Sequence, residues 1–150
     1  MKPETQQFCT FKVNDWSFGV DVRDVQEVIR DQVMTNVPLA SDVICGLMNL
    51  RGQVVTVLDL RRRFELNDSS LDRSPMNVVI RIDREFISLL VEEIGEVVKV
   101  PDEAIEPPPS TIDKKVRRFI SGVYRFDNHM LQILDLEKII NLSHNQKMLA

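Results

Sequence analysis

Two aspartates are the side chains in this 150-residue chain that most invite a catalytic interpretation. Asp59 and Asp135 each follow an apolar segment, and pairs of carboxylates are common in hydrolytic sites. Each also directly precedes a segment with the pattern of a helical turn, residues 60–64 and 136–140, where an aspartate can accept hydrogen bonds from unpaired amides. We therefore expect Asp59 and Asp135 to be structural N-caps. A hydrolase would require both carboxylates to converge in one cleft.

The remaining reactive side chains do not suggest a site. His129, His144, Cys9 and Cys45 have no partner at the spacing that zinc ligands usually show, and a nucleophilic Cys–His pair is no better supported. None of the five glycines belongs to a glycine-rich phosphate-binding motif. The sequence therefore predicts no catalytic residue, no metal and no cofactor.

Charge and hydropathy limit the possible partners. The formal net charge of −4 disfavours binding to nucleic-acid phosphates, and the basic runs at 61–63 and 114–118 lack interleaved aromatics. We expect those runs to form solvated or protein-docking faces. No apolar run is long enough to span a bilayer, the N-terminus lacks a signal-peptide pattern, and two cysteines suit a reducing compartment. We expect a cytoplasmic protein whose partners are proteins.

The chain contains an internal repeat. Residues 46–64 align without a gap on residues 122–140 at an offset of 76, which places Gly46 on Gly122 and one Leu-Asp-Leu triplet on the other. Apolar positions around these identities also match. Self-similarity of this kind is a signal about the whole fold.

A second block aligns at a different offset. Residues 12–30 align on residues 81–99 at an offset of 69, so the second half carries seven extra residues between its two blocks. The proline-rich segment 101–113 lies there. Because its three consecutive prolines cannot donate hydrogen bonds to a β-ladder, we expect an irregular loop.

Short runs rich in Val, Ile and Phe predict five strands in each half. The predicted strands are 8–13, 17–20, 25–29, 47–50 and 54–58, with counterparts 78–82, 86–91, 97–100, 120–125 and 130–134. Hairpin turns are expected at 14–15, 51–52 and 127–128.

Five short strands are better protected by curling into a small barrel than by leaving two open edges. We therefore predict an all-β protein with one barrel at 7–64 and another at 76–140, joined by the polar link 65–75 and followed by a C-terminal extension at 141–150. Periodicity leaves open whether strands cross between the barrels.

The segment 44–52 (ICGLMNLRG) is the most specific local feature. Gly52 can adopt a positive φ, Asn49 can bond neighbouring backbone, and Arg51 is thereby offered to solvent. The second half has Arg-Phe-Asp-Asn at the same four positions, so the turn is kept while its charge is reversed at Asp127. Since a turn does not need an arginine, Arg51 is a candidate for a specific binding role.

These motifs, in this order, resemble the CheW-like adaptor domains of bacterial chemotaxis. The resemblance covers about residues 7–140 and rests on several ordered segments, which are 18–28, 37–38, 44–52, 57–60, 96–97 and 122–138. It implies two five-stranded, SH3-like barrels with short helical turns. It also implies a non-catalytic adaptor that couples membrane chemoreceptors to the chemotaxis histidine kinase, by binding the receptors' cytoplasmic hairpin tip and the kinase's regulatory CheW-like domain.

The resemblance further implies which residues dock. The implied receptor- or kinase-docking positions are Val25, Glu27, Ile44, Gly46, Leu47, Asn49, Leu50, Arg51 and Gly52. We expect an apolar groove beside Ile44, Leu47 and Leu50 to receive a helix, with Arg51 at its rim. The implied location is the cytoplasm, beside membrane receptor arrays and without membrane insertion. A barrel-type binder of single-stranded nucleic acid is the alternative function.

Overall fold

The computed structural model describes residues 4–30, 34–37, 41–66 and 75–142, and the structural statements below concern these residues. The strands are β1 (Thr5–Val13), β2 (Trp16–Asp21), β3 (Val25–Arg30), β4 (Ile44–Leu50), β5 (Gln53–Asp59), β6 (Met76–Ile82), β7 (Glu85–Val91), β8 (Glu93–Pro101), β9 (Ile120–Phe126) and β10 (His129–Leu134). The helices are α1 (Leu60–Arg63), α2 (Lys114–Arg117) and α3 (Leu136–Ile140), with single 3-10 turns at Val22–Asp24 and Asp102–Ala104. Most of the predicted link and C-terminal extension, residues 67–74 and 143–150, lies outside the described residues.

The strands form two five-stranded sheets, as predicted. Sheet A has the order β8-β1-β2-β10-β9, and sheet B has the order β3-β6-β7-β5-β4. Neighbouring strands are antiparallel except for β2 with β10 and β5 with β7, which are parallel. These two parallel pairs join segments that are far apart in the sequence.

The two sheets do not coincide with the two halves of the sequence. Sheet A combines β1 and β2 with β8, β9 and β10, whereas sheet B combines β3, β4 and β5 with β6 and β7. The assignment of 7–64 to one barrel and 76–140 to the other is therefore wrong: the first two strands of each half join the last three of the other. Alternation of apolar residues decides which face of a strand is buried, but it does not decide which neighbour the strand pairs with.

The internal repeat is visible in the strand registers. In sheet A, Phe18 pairs with Gln132. The repeat counterpart of Phe18 is Ile87, at the offset of 69, and that of Gln132 is Thr56, at the offset of 76. These two counterparts pair with each other in sheet B. Exchanging every strand for its repeat counterpart converts the strand order of sheet A into that of sheet B. The repeat that relates the two halves of the sequence therefore also relates the two sheets of the fold.

Three apolar clusters hold the sheets together. The largest draws on both sheets and all three helices, and its centre is the ring series Phe18, Phe64 and Phe119, with centroids 5.1 and 5.8 Å apart. Each sheet also surrounds a smaller cluster of its own, around Leu131 in sheet A and around Val57 in sheet B. Each sheet therefore contributes side chains both to the shared core and to a core of its own.

The glycine pair of the repeat has a packing role. A Cβ atom on Gly46 would lie 2.6 Å from the carbonyl oxygen of Thr35, and one on Gly122 would lie 2.7 Å from Ile105 Cγ2. The approaching chain forms a β-bridge at each place: Thr35 pairs with Leu47, and Glu106 pairs with Val123. A larger residue would push this chain away from β4 or β9.

The proline-rich insert is irregular between the 3-10 turn that follows β8 and the start of α2, as predicted. Glu106 and Thr35 make equivalent bridges in the two halves and are 71 residues apart in the sequence. The offset between the halves is 69 before this point and 76 after it. Two of the seven extra residues therefore precede the bridge and five follow it, in the stretch that contains α2.

Candidate functional site

The turn between β4 and β5 has the geometry that the sequence predicts. Arg51 and Gly52 both have positive φ, 51° and 83°, which matches the right-handed twist of the flanking strands. The Oδ1 atom of Asn49 accepts a hydrogen bond of 3.0 Å from the backbone amide of Gly52. Asn49 and Gly52 therefore build the turn that presents Arg51.

Arg51 forms an ion pair with Glu27. Its Nη1 atom lies 2.5 Å from Glu27 Oε1, with 75% of the Arg51 side chain and 18% of the Glu27 side chain exposed. Glu27 is on β3 and Arg51 follows β4, and these are the two edge strands of sheet B. The ion pair thus links the two edge strands of one sheet. Because Arg51 is exposed, the pair adds little to the free energy of unfolding.

A groove lies beside this ion pair. Its volume is about 180 Å³, and it is lined by Gln26, Glu27, Leu50, Arg51, Gln53, Val55 and Phe86. Such a space accepts one or two side chains from a partner and is smaller than the sites that hold cofactors. Sequence reasoning missed Phe86, because β7 is brought beside β5 only by the parallel pairing in sheet B.

Only some of the expected docking residues line the groove. Glu27, Leu50 and Arg51 do, whereas Ile44 is buried in the large cluster shared by both sheets. Ile44 thus belongs to the core, and the backbone of Leu47 bonds that of Thr35. A helix-binding groove beside Ile44 and Leu47 stays a prediction.

The other expected docking residues position the strands and the turn. Val25, at the start of β3, packs against the large cluster, and Gly46 allows residue 35 to approach β4. Asn49 and Gly52 build the turn. A direct role of these four in docking stays a prediction.

Asp59 and Asp135 each cap their own helical turn. Asp59 Oδ1 accepts hydrogen bonds from the amides of Arg61 and Arg62, at 2.9 and 3.4 Å, and Asp135 Oδ1 accepts one from Lys138 at 3.2 Å. Asp59 ends β5 and Asp135 directly follows β10. Because each carboxylate is used to cap its own helical turn, the structure gives the hydrolase interpretation no support.

The basic run at 61–63 is tied down by the fold. Arg61 forms a 2.8 Å ion pair with Glu92. Arg63 is buried, donates hydrogen bonds to the carbonyls of Lys138, Ile139 and Asn141, and lies over the Phe119 ring. Burial lowers the pKa of Arg63, and the nearby charge of Arg118 acts in the same direction. The expectation of a solvated or docking face is wrong for Arg63, because its guanidinium is buried against the carbonyl groups at the C-terminal end of α3.

The part of the chain that the structure describes contains no group of three or more His, Cys, Asp or Glu side chains placed to hold a metal ion. None of the helices in that part is long and apolar enough to cross a membrane. The ring of His129 lies beside Phe126, with centroids 5.8 Å apart.

The fold and the groove define a small all-β binding module. A family model described as "CheW-like domain" matches residues 7–144. The chain therefore belongs to the CheW-like domain family.

Named relatives and a solved structure agree with this membership. The chain is 26% identical to "Chemotaxis protein CheW" of Treponema pallidum, over 97% of this chain and 88% of that protein. It is 27% identical to the protein of the same name from Bacillus subtilis, over 94% and 90% of the two chains. The crystal structure of the scaffolding protein TtCheW from Thermoanaerobacter tengcongensis matches with a TM-score of 0.84 and 28% identity, and covers 98% of this chain and 94% of that one.

Proposed function

We propose that this protein is a non-catalytic adaptor of bacterial chemotaxis, which couples membrane chemoreceptors to the chemotaxis histidine kinase. The observation that carries the proposal is the match of nearly the whole chain to proteins named for chemotaxis and to a structure described as a scaffolding protein. The alternative, binding of single-stranded nucleic acid, receives no support from these comparisons. The protein works at receptor arrays in the cytoplasm, where it is held by protein contacts.

The groove at the edge of sheet B is the docking surface of this adaptor. Leu50 and Phe86, both half-buried, offer apolar contact to one face of a helix, which is the form of a receptor hairpin tip, while Val55 forms the buried floor of the groove. Arg51 stands at the rim, where its guanidinium can donate charged hydrogen bonds to a partner carboxylate or carbonyl.

The ion pair with Glu27 supports this role. In the free protein Glu27 neutralises Arg51 and holds it at the groove. On docking, the exposed donors of Arg51 can bind the partner while Glu27 continues to fix the position of the side chain. The second partner is the kinase's regulatory domain, which the family resemblance also implies.

Charge reversal at the two equivalent turns tests the proposal. Arg51→Glu places two carboxylates together at the groove, and we expect the affinity for receptor-containing membranes or for the kinase to fall by about tenfold or more. Asp127→Arg, at the repeat counterpart of Arg51, is the matched control and should leave binding unchanged. Co-sedimentation with the membranes and pull-down with the kinase measure both, while circular dichroism checks the fold.

The double variant Glu27→Arg/Arg51→Glu separates binding from structure. It restores an ion pair with the charges exchanged, so the two side chains attract each other again while binding stays weak. Because the pair is exposed, the stability of the single and double variants should differ little from wild type. Recovery of binding would mean that the pair acts only on the fold. Absence of wild-type binding to both receptors and kinase would overturn the adaptor function.

A further inference from the structure

A second pocket, called the Trp16 pocket below, lies on sheet A. The groove beside Arg51 is formed by strands of sheet B. The volume of the Trp16 pocket is about 250 Å³, and it is lined by Trp16, Thr111, Ile112, Asp113, Val116 and Met130, together with Gln132. The lining comes from the ends of β2 and β10 and from the stretch around α2. The insert that distinguishes the second half of the sequence therefore forms one wall.

Gln132 places a polar side chain at the pocket. Only 5% of the residue is exposed, and its side-chain amide makes no hydrogen bond to the residues that the structure describes. No fully enclosed side-chain nitrogen or oxygen in those residues lacks a hydrogen bond, so the amide of Gln132 must open into the pocket. Because this amide is open to the pocket, it can bond water in the free protein, and a polar group of a ligand can take the place of that water.

The repeat does not create the same pocket at the equivalent place on sheet B. The repeat counterpart of Met130 is Val54, which is 66% exposed, and the counterpart of Trp16 is Glu85. At the same place on sheet B an apolar side chain is thus left open to solvent. The pocket exists because Trp16 and the insert enclose this position on sheet A.

The helix beside the pocket carries positive charge. Lys114, Lys115 and Arg117 are exposed, and none forms an ion pair with a residue in the described ranges. Asp113, the acidic residue of the lining, accepts a 2.9 Å hydrogen bond from the amide of Lys115 as the N-cap of α2. These three bases lie beside the pocket rather than in its lining, so they favour acidic residues on either side of the inserted group.

The size of the pocket limits what it can hold. Its volume is below the range of about 300–1,000 Å³ that is typical of sites for cofactors and drug-sized molecules. It suits one large side chain, and the backbone that carries the side chain can pair with the Gln132 amide. We propose that the Trp16 pocket is a docking site for an acidic peptide segment of a partner protein, which inserts one large apolar residue. This inference does not rest on the adaptor function.

Intrinsic fluorescence tests the proposal directly, because Trp16 is the single tryptophan of the chain. The full protein is titrated with the peptide N-acetyl-Glu-Glu-Phe-Glu-Glu-amide and with a matched peptide that has Ala in place of Phe. We expect a saturable change in Trp16 emission with a dissociation constant of about 1 mM or lower for the first peptide. The alanine peptide should cause none, and added salt should weaken binding.

Variants of the protein connect the signal to the pocket. Gln132→Leu keeps the volume but removes the amide, and should weaken binding about three- to tenfold. Lys114→Glu/Lys115→Glu should weaken it through charge, while Arg51→Glu should have no effect. No saturable change with the phenylalanine peptide, or an equal change with the alanine peptide, would overturn the proposal. So would a Trp16 shift on simple dilution of the protein, which would assign the pocket to a second copy of the chain.

Discussion

The turns that follow β4 and β9 occupy equivalent places in the repeat but present opposite charges. Both hairpins have the same register, since Asn49 pairs with Val54 and, 76 residues later, Arg125 pairs with Met130. Arg51 reaches Glu27 across the edges of sheet B. In sheet A the residues at these two places are Asp127 and Glu96, two acids that cannot form an ion pair.

The side chains beside the two turns also differ. In sheet A the rings of Tyr124 and Phe126 stack with centroids 5.6 Å apart, and His129 lies next to them. The counterparts in sheet B are Met48, Leu50 and Gln53. The difference teaches that one backbone plan supports stacked rings beside the turn of sheet A and a groove beside the turn of sheet B. The proposed docking at the groove therefore depends on side chains that the repeat does not share.

The largest expected effect concerns the equivalent pair Phe64 and Ile140. Phe64 is fully buried between the rings of Phe18 and Phe119, whereas Ile140 is only half-buried at the edge of the same cluster. We expect Phe64→Ala to lower the free energy of unfolding by about 3–5 kcal/mol and Ile140→Ala by about 1–2 kcal/mol. Denaturant unfolding measures both. Equal losses would show that the two halves share the core evenly.

A smaller effect is expected at Arg63, whose repeat counterpart is the apolar Ile139. Arg63→Met keeps much of the side-chain length but leaves three carbonyls at the end of α3 without their charged donor. We expect a loss of about 2–3 kcal/mol in the free energy of unfolding. Arg62→Met is the control, because Arg62 is half exposed and should cost less than about 1 kcal/mol. A loss at Arg63 no larger than at Arg62 would contradict a structural role for the buried guanidinium.

The smallest effect is a pH dependence that only one half of the repeat can show. Hydrogen bonds from Arg23 lower the pKa of Asp21 below its ordinary value of 3.8, whereas the counterpart of Asp21 is Leu90, which does not titrate. The stabilising contribution of Asp21 is therefore complete above its ordinary pKa and is lost as the pH falls through the lowered, folded-state pKa. Unfolding of wild type and Asp21→Asn should differ at pH 6 and converge toward pH 2. A difference that grows on acidification would reverse the assigned sign.

Local features of the fold could be predicted from the sequence. All ten strands and the turns after β1, β4 and β9 lie where the sequence predicts them, because alternating apolar residues and turn-forming residues act over a few positions. The N-caps at Asp59 and Asp135 follow from equally local chemistry. The repeat is legible too, since its offsets reappear in the strand registers.

Contacts between distant segments could not be predicted in this way. The sequence marked Arg51 and the family resemblance marked Glu27, but their ion pair depends on the two edges of sheet B coming together. Phe86 reaches the groove, and Arg63 reaches α3, only through pairings between the two halves.

The sequence by itself determined an all-β chain with a repeated plan, capped turns and one turn of reversed charge. The tertiary structure alone decided that the halves exchange strands and that one sheet keeps an open groove while the other forms the Trp16 pocket. The physical reason is that alternation assigns each side chain to a face, whereas the choice of a parallel neighbour, β10 for β2 and β5 for β7, depends on how the buried faces of the whole chain fit together.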